Sequence, residues 1–314
     1  IVQRAASMAT FFYVLAVLLY AKARMKGSLF LYVLSCLTTL CAMLTKEIAF
    51  TLPLMIALYE YMFFPDFRRE IKKRVFLLIP FLLMLAIIPT IFISMRGGLH
   101  TDSSLVSALA IKETEAYSRK QYLLTQINVI RTYLRLLVLP IKQHFLYNYP
   151  LSTRFDAPTF FSFLLLSTIL FAAFKAYRKY KILSFGIFWF FLALSVESSL
   201  VPIHDVIFEH RLYLPMFGFS LAASVGLYFL FGKDSRRFRF VCALMVIVFS
   251  ILTYRRNEVW SSEISLWEDS ARKSPRKVIT LHNLGTAYLR QGDEEKAMEY
   301  FEKTIRVGPY SVLT

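Results

Sequence analysis

The sequence predicts an all-α protein in which a multi-pass bundle of transmembrane helices is followed by a water-soluble helical-repeat segment. Hydrophobic side chains make up 57% of the 314 residues, and the mean hydropathy is +0.51. A soluble globular protein of this length could not bury so much apolar surface. Apolar runs alternate with short basic clusters up to residue 254, and a charged, helix-forming stretch follows.

The positive charge of the chain points to a membrane rather than to nucleic acid. The formal net charge is +16 and the sequence pI is about 9.8. Nucleic-acid binding would need these charges on one soluble face, interleaved with aromatic side chains that stack on bases. They lie instead in short groups between apolar runs, as in cytoplasmic loops that contact anionic lipid. We therefore expect membrane lipid as a partner, and no nucleic acid.

The cysteines and the start of the chain add two expectations. Cys36, Cys41 and Cys242 lie in apolar segments without metal-ligand spacing, which is typical of small core residues. The sequence has no zinc, Walker, Rossmann or serine-nucleophile motif, so no metal site is predicted and metal dependence stays open. The chain opens at Ile1 without a methionine or a signal peptide, so we expect it to be a piece of a longer protein.

Eight apolar segments are candidates for membrane-spanning helices, which need roughly 17 to 25 mainly apolar residues. Seven of them meet or approach that length: 7–21, 28–45, 47–64, 75–95, 158–174, 182–203 and 212–231. The eighth, 239–254, is shorter. We predict a transmembrane domain at 1–254, with a long outward loop at 96–157, and an outward-facing segment at 255–314.

The basic clusters orient these spans. If eight spans alternate, four clusters share one side of the membrane: 22–26, 68–74, 175–181 and 233–239. The positive-inside rule places that side in the cytoplasm. The outward face is then the periplasm of a bacterium or the lumen of a eukaryote. We expect an integral protein of the bacterial inner membrane, with its C-terminal segment in the periplasm.

Residues 121–140 are apolar enough to suggest a further span. Arg131 and Arg135 lie four positions apart on one helical face, with Gln126 and Asn128 nearby. A span here would also move the last two basic clusters to the outer side. We therefore predict an amphipathic helix that lies in the membrane interface.

The C-terminal segment contains the spacing of a 34-residue tetratricopeptide repeat at 278–311. The residues at its packing positions are Leu281, Gly285, Tyr288, Ala297, Phe301 and Pro309. Pro275 and Trp267 lie one repeat length before Pro309 and Phe301, so 260–275 is predicted to be the second helix of a degenerate preceding repeat. Such repeats are stable only when stacked, and their concave surface binds an extended peptide or another protein.

Candidate site residues follow from the cost of placing ionisable groups at a membrane edge. One short outward loop holds the densest group: His204, Asp205, Glu209, His210 and Arg211. The Arg211 guanidinium suits a phosphate, Glu209 would orient it, and a histidine would donate to a phosphate or sugar oxygen. The alternative is an interfacial belt in which Arg211 reaches lipid headgroups and pairs with Glu209.

Three other places on the outward face carry candidate residues. Lys46 and Glu47 form a very short turn between two spans, and Arg4 precedes the first span. A lipid-phosphate pocket or simple headgroup anchoring would both explain the side chains that follow in the long outward loop: Gln126, Arg131, Arg135, His144, Tyr147, Asn148 and Tyr149. Glu197, near the outer end of a span, is a further acidic candidate. No residue stands out as a general base.

These residues resemble those of tetratricopeptide-bearing membrane glycosyltransferases with the GT-C fold. That group includes bacterial relatives of the transmembrane and tetratricopeptide-repeat O-mannosyltransferases. The matching stretches are IVQRAASMATFFYVLAVLLYAKAR at 1–24, LTKEIAFTLPLMIALYEY at 44–61, YLLTQINVIRTYLRLLVLP at 122–140, YNYPLS at 147–152 and FEHRLYLP at 208–215. With the repeat, the likeness runs along the whole chain.

The resemblance implies transfer of a sugar from a polyprenyl-phosphate donor to a protein hydroxyl on the outer face. Lys46, Arg131, Arg135 and Arg211 would bind the donor phosphate, and the repeats would hold the acceptor protein nearby. The family's catalytic acid lies in the first outward loop, before the position that matches Ile1. We therefore name no catalytic base in this chain.

Two other functions also fit the sequence. An enzyme like an O-antigen ligase would use outward arginine and histidine side chains on a polyprenyl pyrophosphate donor. A non-enzymatic membrane scaffold would recruit partners through the repeat for envelope or appendage assembly. A transporter ranks last, because paired broken helices and buried mid-span acids are lacking in the sequence.

Overall fold

The computed structural model describes residues 4–64, 71–91, 118–198, 205–232 and 234–308. The predictions made for His204 and Pro309, and for much of the loop 96–157, lie outside these ranges. Within them the secondary structure is helical and contains no strand. The predicted all-α class is therefore confirmed.

The described residues form the following helices, in chain order. Those up to residue 194 are α1 (Arg4–Lys26), α2 (Leu29–Thr45), a 3₁₀ turn (Glu47–Thr51), α3 (Leu52–Phe63), α4 (Ile71–Met84), α5 (Arg119–Val138), α6 (Ala157–Ala176) and α7 (Lys181–Leu194). After residue 194 the chain forms a second 3₁₀ turn (Glu209–Leu212), α8 (Tyr213–Phe231), α9 (Ser235–Val259), α10 (Glu263–Lys273), α11 (Val278–Gln291) and α12 (Glu294–Val307).

Five helical stretches in the described ranges are long and apolar enough to cross a membrane. They are Arg4–Lys26, Arg74–Ile91, Ala157–Ala176, Glu209–Phe231 and Ser235–Val259. Two further apolar helices, α2 and α7, are shorter. These helices confirm an integral membrane protein.

Three of the predicted spans differ from the helices that form. The segment 182–203 contains the 14-residue helix α7, which ends at Leu194. The segment 47–64 starts with a 3₁₀ turn, so its α-helix begins only at Leu52, where Pro53 occupies the first turn. The segment 239–254, predicted to be short, belongs to the 25-residue helix α9. Asp234 caps that helix by accepting from the backbone N–H groups of Arg236 and Arg237, each at 3.0 Å. Helix α9 therefore runs through the predicted domain boundary at residue 254.

The chain divides into two compact units that are not continuous in sequence. The first contains 1–131, 152–204 and 210–230, and the second contains 132–151, 205–209 and 231–314. The first unit therefore holds most of the apolar helices. The second contains 132–151 and 205–209 together with the C-terminal segment.

Close backbone packing organises the first unit. A Cβ atom on Gly186 of α7 would lie 2.5 Å from the carbonyl oxygen of Gly218 of α8, so these two helices touch at their glycines. Trp189, one turn further along α7, is fully buried and donates its indole N–H to the carbonyl oxygen of Leu214 at 2.9 Å. Small residues at membrane helix interfaces allow such contact.

The second unit contains the packing that the repeat pattern predicts. A Cβ atom on Gly285 of α11 would lie 2.8 Å from the Phe301 ring of α12, so only glycine allows this approach. Leu284, Tyr288 and Ala297 are buried at the same seam. Helix α11 ends where Gly292 adopts φ +87°, a left-handed conformation that glycine adopts readily.

Candidate functional site

Three charged side chains from distant parts of the sequence meet in the first unit. Lys46 lies between α2 and the 3₁₀ turn, Glu197 follows α7, and Arg211 belongs to the second 3₁₀ turn. Lys46 Nζ lies 3.3 Å from Glu197 Oε1, and Arg211 Nε lies 3.9 Å from the same oxygen. Two cations therefore share one carboxylate oxygen.

This charge cluster is largely shielded from solvent. The exposed fraction of the side chain is 13% for Lys46, 5% for Glu197 and 3% for Arg211. The nearby Glu47 carboxylate lies 3.8 Å from Lys46 and is 54% exposed. Because charges removed from water are stable only when they are paired, Glu197 and Glu47 stabilise the cations in this shielded position. The burial of Arg211 disfavours the alternative in which this side chain anchors to lipid headgroups.

Helix α5 supports the turn that carries Glu197. The Tyr122 hydroxyl donates to the backbone carbonyl of Glu197 at 2.6 Å, and Ser198 Oγ donates to Gln126 Oε1 at 2.9 Å. Tyr122 and Gln126 lie one helical turn apart, so both face this turn. Gln126, a predicted site residue, therefore positions the acidic turn through Ser198.

Two of the four polar residues that suggested a surface helix at 121–140 are buried, whereas Arg131 is half-buried and Arg135 is exposed. A helix forms there as predicted, but Gln126 and Asn128 are 2% and 5% exposed. Asn128 Nδ2 donates to Ser152 and Thr159, and its Oδ1 accepts from Ser162 at 2.7 Å. Internal hydrogen bonds, rather than water, thus satisfy this face. The interface position of the helix stays a prediction.

In the second unit, the Glu209 carboxylate binds the loop around His144. Its Oε1 atom accepts from the His144 backbone N–H at 2.7 Å and from the Tyr147 hydroxyl at 2.6 Å. The sequence analysis expected Glu209 to orient Arg211, but the acid in contact with Arg211 is Glu197. His144 and Tyr147 lie far from Glu209 in the sequence, so the motif FEHRLYLP alone gave no indication of these contacts.

Burial and nearby charges determine the protonation states of His144 and Tyr147 in this loop. Burial, followed by the positive charge of Lys273, lowers the pKa of His144, so its imidazole is neutral near pH 7. The ring stacks on Tyr147 with 4.5 Å between centroids. Burial and the Glu209 carboxylate raise the pKa of Tyr147, so its phenol stays protonated as a hydrogen-bond donor.

Two further predicted residues lie close to this cluster. Glu47 is 3.8 Å from Lys46, and half-buried His210 is near enough to Lys46 and Arg211 for their charges to act on it. The others lie elsewhere: Arg4 is exposed and Arg131 is half-buried. Arg135 is also exposed, and its guanidinium donates to the Ile141 carbonyl at 3.0 Å. Asp205 pairs with Lys277 in the second unit at 2.6 Å, and Tyr149 contacts Thr132 at 3.0 Å. Of the predicted set, the structure brings Lys46, Glu47, Gln126, His210 and Arg211 near Glu197.

A second buried acid, Glu60, was missed by the sequence analysis. It is 0% exposed at the end of α3, and Arg24 binds both of its oxygens, at 2.9 and 3.0 Å. The Tyr20 hydroxyl donates to it at 3.0 Å, and Arg74 lies 3.7 Å away. Arg24 and Arg74 were assigned only to cytoplasmic clusters. A lone acid inside a predicted span was the signal that should have found this group.

A metal site was also considered. In the ranges that the structure describes, no three His, Cys, Asp or Glu side chains are grouped so that they could hold a metal ion.

Comparison with known proteins gives partial matches. No protein-family model and no solved structure matches the chain. It is 28% identical to protein O-mannosyl-transferase Tmtc3 of Drosophila melanogaster over 124 residues, 38% of this chain and 13% of that protein. It is 33% identical to Tmtc2 of the same organism over 119 residues, 37% of this chain and 12% of that protein.

A human relative matches over a similar length. Protein O-mannosyl-transferase TMTC3 of Homo sapiens is 28% identical over 110 residues, 34% of this chain and 12% of that protein. The chain thus spans about an eighth of the length of these curated relatives. The resemblance inferred from the residues is confirmed, since over about a third of its length this chain is similar to the protein O-mannosyl-transferases of the Tmtc type.

Proposed function

We propose that this chain is part of a membrane glycosyltransferase of the GT-C type. It moves a sugar from a polyprenyl-phosphate donor to a protein hydroxyl on the periplasmic or lumenal face. The observation that carries this proposal is the pair of shielded cations, Lys46 and Arg211, around Glu197. The names of the matched relatives, protein O-mannosyl-transferases, support a protein as the acceptor.

The chemistry of the proposed site follows from its charges. In the transfer, the acceptor oxygen bonds to the anomeric carbon of the sugar while the bond from that carbon to the phosphate oxygen breaks. The acceptor hydroxyl gives its proton to a general base, a role that we assign to no residue of this chain. Negative charge then accumulates on the departing polyprenyl phosphate. The Arg211 guanidinium and the Lys46 ammonium stabilise that charge, and such stabilisation is usually the largest catalytic contribution. Glu197 holds the two cations in place before the donor arrives.

In this proposal, the C-terminal repeat binds the acceptor protein. Helices α11 and α12 pack through Gly285 and Phe301 as a helix pair that can stack on further repeats. A protein bound to that surface stays close to the membrane, which raises its effective concentration at the site. We place this segment on the outward side of the membrane.

Lipid binding tests the donor site. Undecaprenyl phosphate is added to the detergent-purified protein and binding is followed by native mass spectrometry, with phosphatidylglycerol and phosphatidylethanolamine as competitors. We expect preferential binding of undecaprenyl phosphate by the wild type and loss of that preference in Arg211→Ala. Arg290→Ala removes an exposed arginine on α11 that pairs with Glu263, so it should bind like the wild type.

The outcomes separate the candidate functions. Selective binding that depends on Arg211 supports the donor site and justifies a transfer assay. A preference for undecaprenyl pyrophosphate would favour the ligase-like enzyme. Equal, unselective binding by the wild type and both variants contradicts the proposal and favours the non-enzymatic scaffold.

A further inference from the structure

An apolar groove lies between α3, α6 and α7, entirely within the first unit. Its volume is about 740 Å³, which is within the range of ligand sites in proteins. The side chains that line it include Leu54, Ala57, Tyr61, Phe174, Tyr177 and Leu192. The lining is thus almost wholly aliphatic and aromatic, as a hydrocarbon chain requires.

The groove opens on the side of these helices. Leu54, Tyr61 and Phe174 are 40%, 49% and 64% exposed. Helix α6, which carries Phe174, is long and apolar enough to cross a membrane, so lipid rather than water meets this surface. From Leu54 to Tyr61 an α-helix rises about 10 Å. That length fits within the hydrocarbon depth of one leaflet, about 15 Å.

One end of the groove lies beside a strongly basic connection. Four cations occur within seven positions between α6 and α7: Lys175, Arg178, Lys179 and Lys181. Tyr177, which lines the groove, belongs to the same connection. Arg178 Nε lies 3.4 Å from the Tyr177 hydroxyl. A guanidinium group therefore marks the polar end of an apolar groove.

The charge of this connection is not compensated within the described part of the chain. Lys175 Nζ lies 5.5 Å from the centre of the Phe171 ring, and Lys179 Nζ lies 5.2 Å from that of Tyr180. Among the residues that the structure describes, no carboxylate pairs with any of the four cations. Other basic residues of the chain differ, since Arg24 pairs with Glu60 and Arg237 with Asp234.

We propose that this groove holds one acyl chain of an anionic phospholipid, whose phosphate is bound by Arg178 and the neighbouring cations of the connection 175–181. Basic side chains at the edge of a groove between membrane helices suit such a headgroup. The groove is short for a polyprenyl chain, so a phospholipid fits it better. The site shares no residue with the cluster of Lys46, Glu197 and Arg211.

Lipid selectivity tests the charged end of the site. The full chain in detergent is titrated with phosphatidylglycerol or with phosphatidylcholine of identical acyl chains, and bound lipid is counted by native mass spectrometry. We expect the wild type to retain one phosphatidylglycerol in preference to phosphatidylcholine. Arg178→Gln should bind phosphatidylglycerol about fivefold more weakly, the factor for one cation near an anionic lipid.

Arg236→Gln is the matched control for charge. Arg236 is an exposed arginine in the basic stretch at the start of α9, outside the groove. This variant should bind phosphatidylglycerol like the wild type. An equal loss in Arg178→Gln and Arg236→Gln would mean diffuse attraction to the whole protein and would overturn the proposal.

A second pair of variants tests the apolar part of the site. Ala57→Phe places a ring in the groove without changing any charge, so the preference for phosphatidylglycerol should be lost. Ala172→Phe adds the same ring at an exposed position of α6 that does not line the groove, and it should bind like the wild type. Unchanged binding by a folded Ala57→Phe would overturn the proposal.

Labelling of the wild type locates the lipid even if Ala57→Phe fails to fold. A phosphatidylglycerol with a photoreactive group in its acyl chain should label peptides that contain 54–62, 174–177 and 188–192. Labelling confined to other helices would overturn the proposal, as would equal retention of the two phospholipids. Displacement of phosphatidylglycerol by equimolar undecaprenyl phosphate would also overturn it, because the groove would then belong to a polyprenyl chain.

Discussion

The Nζ atom of Lys46 lies 3.3 Å from Oε1 of Glu197, although 151 positions separate these residues in the sequence. The same oxygen lies 3.9 Å from Arg211 Nε. Glu197 therefore pairs with two cations that, in the proposed function, bind the donor phosphate. This arrangement leads to the first prediction.

Glu197→Gln should destabilise the protein and make its stability depend on the donor lipid. Breaking a buried ion pair costs about 3 kcal/mol, because charge is left without a partner. Undecaprenyl phosphate should then raise the melting temperature of the variant more than that of the wild type, since the phosphate replaces the lost negative charge. Thermal unfolding with and without the lipid measures both effects.

Glu299→Gln is the control for that experiment. Glu299 pairs with Lys303 four residues along α12, and both side chains are largely exposed. Its loss should hardly change the melting temperature. Equal lipid-dependent shifts in the wild type and in Glu197→Gln would contradict a phosphate site beside Lys46 and Arg211.

Glu60→Gln should also lower stability, by about 3 kcal/mol. The carboxylate is fully buried and receives two hydrogen bonds from Arg24 and one from Tyr20. The variant keeps the shape of the side chain but leaves the Arg24 guanidinium without its acid. Thermal unfolding in detergent checks the effect.

A triple variant separates charge from packing at this position. Arg24→Met and Arg74→Met combined with Glu60→Leu remove all three charges of the cluster and should regain much of the lost stability, because apolar side chains of similar volume often replace buried ion pairs. A triple variant less stable than Glu60→Gln would argue against this account.

Gly285→Ala should loosen the helix pair α11 and α12. The added Cβ would lie 2.8 Å from the Phe301 ring and 3.2 Å from the Ala297 carbonyl oxygen. Such overpacking costs about 1 to 3 kcal/mol. Hydrogen exchange within 278–307 should rise. Gly226→Ala is the control, because a Cβ on this glycine of α8 meets no atom within 4 Å, and exchange in the pair should stay unchanged.

The second unit should lose stability in mild acid because of His144. Burial holds the folded pKa of His144 below the ordinary value of about 6.5. The unfolded chain therefore takes up this proton first, so stability is full above about pH 6.5 and decreases as the pH falls below it. Hydrogen exchange at 143–147 between pH 7.5 and pH 5 measures the loss.

Two variants test whether His144 causes that pH dependence. His144→Gln should make stability nearly independent of pH between pH 7.5 and pH 5. His282→Gln, which changes an exposed histidine of α11, should leave the pH dependence unchanged. A decrease of stability between pH 7.5 and pH 5 that persists in His144→Gln would contradict the role of His144.

Asp269 affects stability in a more acidic pH range. Although the side chain is buried, hydrogen bonds from Lys273 and Arg272 hold the pKa of Asp269 below its usual value. Its contribution to stability is therefore lost only below about pH 4.

Local patterns were sufficient to predict most helices. Apolar runs of spanning length indicated α1, α6 and α8, because burial in a bilayer requires length and low polarity in each helix separately. The repeat spacing indicated the approach of Gly285 to Phe301, because residues at helical periods share one face. The helix α5 was also predicted. The burial of its Gln126 and Asn128 was not, because a sequence does not show what packs against a polar face.

The sequence by itself thus determined the helical class, several of the long apolar helices and the choice of Lys46 and Arg211 as candidate cations, because each follows from the composition of one continuous stretch. Only the tertiary structure decided that Glu197, rather than Glu209, accompanies Arg211, and that Glu60 lies between Arg24 and Arg74. Ion pairs of this kind join side chains many positions apart. Their partners depend on how helices pack, and helix packing is a property of the whole fold.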